Sequence, residues 1–148
     1  MAQGVGLCAA LVAALMVSAP LAVAEEARNI AGQWTFTARI SPDCSFGGTA
    51  NLQHQGNGKY TAELTARQSC TLLERDYLVR QDCRASVLGN QVSVRCQIAE
   101  FINGFESTSY FPDNFTLTIA SPDRMHGALV SAGDVNPAEW KRAEGGIS

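Results

Sequence analysis

The chain has 148 residues, of which 46% are hydrophobic, 17% charged and 7% aromatic. Eleven Lys and Arg stand against fourteen Asp and Glu, a formal net charge of -3. This is one domain's length, the charge balance excludes a basic nucleic-acid or anionic-membrane footprint, and the low charged and high apolar fractions exclude a disordered chain.

Residues 1–24 carry no charged side chain. Leu7 to Val17 is an apolar run of signal-peptide length, Ser18-Ala19-Pro20 interrupts it, and Ala22-Val23-Ala24 offers a small-residue cleavage site before Glu25-Glu26. The pattern predicts a signal peptide at 1–24, with an uncleaved anchor as the alternative. Cleavage leaves 124 residues, no membrane span, and a secreted or periplasmic location. Cys8 goes with the signal, while Cys44, Cys70, Cys83 and Cys96 remain. An even count behind an export signal reads as two disulfides. No C-x-x-C spacing occurs, and His54 and His126 are far from any Cys in sequence, so no metal site is expected. Residues 25–31 read as an N-terminal arm, 32–143 as one domain and 144–148 as a tail.

From Trp34 onward the side chains alternate with period two, the strand signature. Trp34, Phe36, Ala38 and Ile40 share one parity. Runs 44–55 and 59–70 flank Gly56-Asn57-Gly58. A three-residue loop there places Leu52 opposite Ala62, Ala50 opposite Leu64, and Cys44 opposite Cys70. One face is then mostly apolar and the other has no large apolar side chain. Gly47-Gly48 is expected to bend or bulge the first arm.

The next hairpin joins 77–88 to 91–99 through Gly89-Asn90. A two-residue loop pairs Val87 with Val92 and Cys83 with Cys96. The latter is a non-hydrogen-bonded pair, with Cα atoms about 4.5 Å apart and within disulfide reach. The predicted bridges are therefore Cys44–Cys70 and Cys83–Cys96.

Three more strands follow, at 114–120, 124–132 and 138–143. At the turn between the first two, a two-residue loop points His126 inward and a three-residue loop points Met125 inward. Met125 is preferred, since burying an unpaired imidazole costs free energy. Eight antiparallel strands predict an all-β, up-and-down eight-stranded barrel, with a β-sandwich as the alternative.

Catalytic constellations are thin. No G-x-S-x-G turn accompanies either His, and no two carboxylates fall in one cleft, so no catalytic residue and no cofactor are assigned. The inward parity of the first five strands carries no Asp, Glu, Lys or Arg, and includes Ala38, Ala50, Ala62, Ala66 and Ala85. These alanines either fill a narrow interior or leave an apolar cavity. Five of the eleven aromatic residues fall between Phe101 and Phe115. The segment 100–113 reads either as a lid over a barrel end or as a recognition surface.

Gly32-Gln33-Trp34 opens the first strand and Trp140-Lys141-Arg142 closes the last. This pair resembles the calycin superfamily of lipocalins and avidin-like barrels, where a G-x-W near the first strand meets a basic residue from the last. The resemblance implies that Arg142 or Lys141 stacks on Trp34 to close the barrel end, and it implies binding rather than catalysis. Small periplasmic metalloprotease inhibitors share an eight-stranded barrel with a free N-terminal arm, the role residues 25–31 would take.

The expectation is an exported, non-enzymatic protein that binds a small apolar ligand in or at the mouth of the barrel. The alternative is a protein-binding or protease-inhibitor-like module acting through 100–113 or the arm. Candidate binding residues are Phe101, Phe105, Tyr110, Phe111, Tyr60 and His54. Oligomeric state is left open.

Overall fold

A computed structural model describes residues 28–72, 74–104 and 110–144. The predicted signal peptide, residues 25–27 of the arm, Phe105 and the tail beyond Glu144 lie outside the described residues. Eight antiparallel strands follow in chain order: β1 (Gly32–Ser41), β2 (Cys44–Gly56), β3 (Lys59–Cys70), β4 (Arg75–Leu88), β5 (Gln91–Asn103), β6 (Asn114–Ser121), β7 (Arg124–Ser131) and β8 (Asp134–Arg142). Each pairs with the next, and β8 returns to β1 from Trp34↔Arg142 to Ala38↔Ala138, which closes an up-and-down barrel. A sandwich is excluded.

The turn arithmetic holds where the walls are regular. β2 and β3 pair from Cys44↔Cys70 to His54↔Tyr60 in the expected register. The turn itself is two residues, Asn57-Gly58, with an irregularity between His54 and Gly56 absorbing the difference. Cys83 faces Cys96, and both predicted disulfides are formed, with Cα–Cα distances of 4.0 and 4.1 Å. A similar irregularity between Ile119 and Ser121 lets a two-residue turn at 122–123 give the register of a three-residue one. Met125 is accordingly buried and His126 exposed.

Two expectations are corrected. β8 starts at Asp134, not Ala138, because Ala132-Gly133 makes a hairpin turn with both residues at positive φ. Ala132 is a residue type that rarely signals such a turn, and Pro137 argues against a strand on sequence grounds. Pro137 is tolerated because it lies one residue past the end of the β1 ladder at Ala138. The Gly47-Gly48 pair makes no bulge, since the β2 register runs straight through it. Its role is close approach. A Cβ on Gly48 would collide with the Thr65 carbonyl oxygen and lie 2.7 Å from the Phe36 ring.

That space matters because the interior is filled. Trp34, Phe36, Leu52, Leu64, Phe115, Leu117, Met125, Leu129 and Trp140 are all at most 2% exposed. Phe36 stacks on Trp140 at 5.4 Å, and Phe115 meets both edge-on at 5.3 and 5.1 Å. Ala38, Ala50, Ala62, Ala66 and Ala85 belong to the same packed core. Small inward residues therefore make room for rings rather than for a hollow centre, as the bore of eight strands dictates. The outward faces carry Thr, Gln, Arg and Glu side chains, not the apolar band of a membrane barrel.

One barrel end is sealed. It carries residues 28–31 and the turns at 57–58, 89–90 and 122–123. The Arg142 guanidinium lies 4.5 Å over the Trp34 ring and donates to the carbonyls of Ala31, Asn29 and Pro122 at 2.6, 3.1 and 2.9 Å. The Trp34 indole N–H donates to the Ile30 carbonyl at 2.9 Å. Gly32 sits at φ 115°, and a Cβ there would lie 3.1 Å from Arg142. Ile30 is buried, so the described part of the expected arm is docked against the barrel rather than free.

Gly48→Ala is expected to lose about 3 kcal/mol of stability, since neither a backbone carbonyl nor a stacked ring can yield cheaply. Urea unfolding of the oxidised protein checks this, and a loss below about 0.5 kcal/mol, the range of neutral surface changes, would contradict the close-approach role.

Candidate functional site

The opposite end is built differently. It gathers the turns at 42–43, 71–74 and 132–133 and the β5–β6 connection. Here a cleft of about 420 Å³ opens between Ile40, Phe46, Gln68, Arg75, Tyr77, Tyr110, Phe111, Asp113, Leu129, Ser131, Asp134 and Asn136. The volume falls in the range of about 300–1,000 Å³ used by small-molecule sites. A second groove of about 550 Å³ crosses β3, β4 and β5 by Thr61, Ala62, Asp82, Cys83, Arg84, Arg95, Cys96 and Gln97, with no aromatic ring in its lining.

The floor of the mouth is a polar cluster. Gln81 lies on the inward face of β4, between Val79 and Cys83, and is fully buried. Its amide clamps Asp113 at two points. The Gln81 Nε2 donates to Asp113 Oδ2 at 2.6 Å, and the Asp113 backbone N–H donates to Gln81 Oε1 at 2.9 Å. The Tyr110 hydroxyl donates to the same Oδ2 at 2.8 Å. Ser131 on β7 donates to the Pro112 carbonyl at 3.1 Å. Residues 110–113 are thereby pinned into the barrel end.

Burial pushes the Asp113 carboxyl up to about 6, against the hydrogen bonds from Tyr110, Gln81 and Ser131, which hold it down. Burial raises the Tyr110 phenol first, and the neighbouring Asp113 charge raises it further, so the hydroxyl stays a donor. The Tyr110 ring packs on Tyr77 at 5.2 Å and edge-on to Phe101 at 5.9 Å, and Tyr77 and Phe101 lie 6.4 Å apart. Tyr110 is buried and Phe101 half-buried, while Phe111 is 48% exposed. The described part of segment 100–113 thus combines a buried Tyr110 with a half-exposed Phe111.

The six candidate binding residues do not form one site. Phe101, Tyr110 and Phe111 meet at the mouth, and Phe105 lies outside the described residues. His54 and Tyr60 lie at the sealed end. Tyr60 is buried, and its hydroxyl accepts from the Ile30 N–H at 3.4 Å and reaches Asn29 Oδ1 at 3.5 Å. The exposed His54 ring rests against the Tyr60 ring, 5.0 Å away. Sequence reasoning missed Gln81 and Asp113. The inward parity of Gln81 was a usable signal, whereas Asp113 sits in a loop whose path periodicity does not reveal. Among the described residues no three His, Cys, Asp or Glu side chains converge as a metal site, and no helix is long and apolar enough to cross a membrane.

No protein-family model matches the chain, and no curated protein matches it. Among solved structures, the chain is similar to a de novo designed fluorescence-activating β-barrel. The two share 19% identity with a TM-score of 0.57, over 78% of this chain and 95% of that one. At that identity the likeness is one of fold, the closed barrel.

The raised Asp113 carboxyl has a thermodynamic signature. Its folded-state value lies above its unfolded one, so between about pH 4 and pH 6 the folded state binds more protons and stability falls as pH rises. The wild type is expected to lose on the order of 3 kcal/mol relative to Asp113→Asn across that window. Chemical denaturation at each pH measures the difference, and a pH-independent difference would contradict the buried carboxyl.

Proposed function

We propose that this chain is an exported, non-enzymatic binding protein that takes a small ligand at the barrel mouth beside Tyr110. The observation that carries this reading is the contrast between a filled interior and an open, ring-lined cleft at one end only. The two disulfides support export, since such bridges persist in oxidising compartments. The calycin resemblance supports binding rather than catalysis, and the stacked Arg142 and Trp34 fit it. The mixed lining favours a ligand with both an apolar body and a polar group, a narrower class than the apolar ligand expected from sequence.

A second reading has its own observation. Leu72, Ile102, Phe111 and Val135 are 82%, 50%, 48% and 69% exposed, and all four lie at the mouth end. Such a rim suits a protein partner.

Native mass spectrometry of the protein recovered from its export compartment tests both. A retained small molecule, lost in Asn136→Trp while the fold is kept, is the expected outcome, because an indole at that position fills the cleft. A stoichiometric bound protein, or retention unaffected by the tryptophan, would overturn the small-ligand reading.

A further inference from the structure

Asp113 is a buried carboxylate whose donors among the described residues, Ser131 included, are all neutral. Tyr110 supplies a hydroxyl and Gln81 an amide. The ion pairs among the described residues join Arg67 to Asp76, Arg80 to Glu63, Asp82 and Glu100, and Arg124 to Glu139, all with exposed or half-exposed side chains. None reaches Asp113. A buried charge without a counter-charge is costly, and removing it from water gains nothing for a wall residue. Asp113 nevertheless lines the cleft, together with the rings of Phe46, Tyr77, Tyr110 and Phe111. At the rim the lining adds one exposed carboxylate, Asp134, and one exposed cation, Arg75, its single cationic side chain, so Asp113 is the charge at depth.

Resting on the mouth reading above, we infer that the ligand class is an organic cation, an amine or quaternary ammonium on an apolar body, seated against Asp113 and the tyrosine faces. Aromatic faces attract a cation through their quadrupole, most strongly where water is excluded. The Asp113 carboxylate supplies the charge partner, and the apolar body covers Phe46 and Phe111. An anion entering the same cleft would meet Asp113 without a compensating cation at depth.

Three probes of matched shape test this on the intact, oxidised protein: phenethylamine, 2-phenylethanol and 3-phenylpropionate. Amide resonances of Tyr110, Phe111 and Asp113 report binding at the mouth. The amine is expected to bind at least tenfold more tightly than the alcohol or the carboxylate. Asp113→Asn should abolish that preference. Tyr77→Leu leaves the Asp113 hydrogen bonds in place and should weaken the amine more than the alcohol. Amine binding that is absent, or no tighter than alcohol binding, overturns the inference, as does a preference unchanged in both variants. Alcohol or carboxylate binding without the amine removes the cation and leaves the mouth standing. Silence from all three removes the cation, while the mouth then stands or falls on the retained molecule.

Discussion

Closing eight strands into a barrel leaves a bore about as wide as the side chains that line it. The stacked rings of Phe36 and Trp140, with Phe115 on edge against both, occupy that bore. Much else follows from fitting them. Gly48 lies opposite Phe36 because a methyl group there would strike the neighbouring strand's carbonyl. The inward alanines flank the rings because larger residues would overfill the section. With the centre occupied, any ligand is confined to an end.

The two ends solve the same problem with different chemistry. At the sealed end a guanidinium stacks on an indole and collects three carbonyls from two segments, so the crossing backbone is satisfied. At the mouth a carboxylate collects a phenol and an amide, and a loop rather than a strand end crosses. The first arrangement pairs a cation with neutral acceptors and an aromatic face. The second buries a negative charge on neutral donors, which leaves it electrostatically hungry. That imbalance, beside four aromatic rings, gives the mouth its character.

Much of the wall was legible in the sequence. Period-two alternation separates the faces, and counting outward from Gly89-Asn90 and from the loop at 56–58 sets both registers. Once Cys83 meets Cys96 and Cys44 meets Cys70, the disulfides follow from geometry. The Trp34 contact with Arg142 or Lys141 was visible only through the calycin resemblance, and the structure selects Arg142. What stayed hidden depends on three-dimensional path. Ala132 adopts a conformation its residue type rarely shows, so its hairpin leaves no strong turn signal. That His54 and Tyr60 stand at the opposite end from the aromatic loop was not legible, because parity tells inside from outside but not one barrel end from the other. Gln81 and Asp113 are 32 residues apart, and only the fold of 110–113 joins them.

The filled bore leaves the mouth as the proposed binding end. A crystal structure of the protein purified from its export compartment with its retained molecule tests this most directly. Ligand density between Tyr77, Tyr110 and Asp113, with the Phe36 and Trp140 rings still stacked, is the predicted result. Density lodged between those two rings, or against Trp34 at the sealed end, would contradict it.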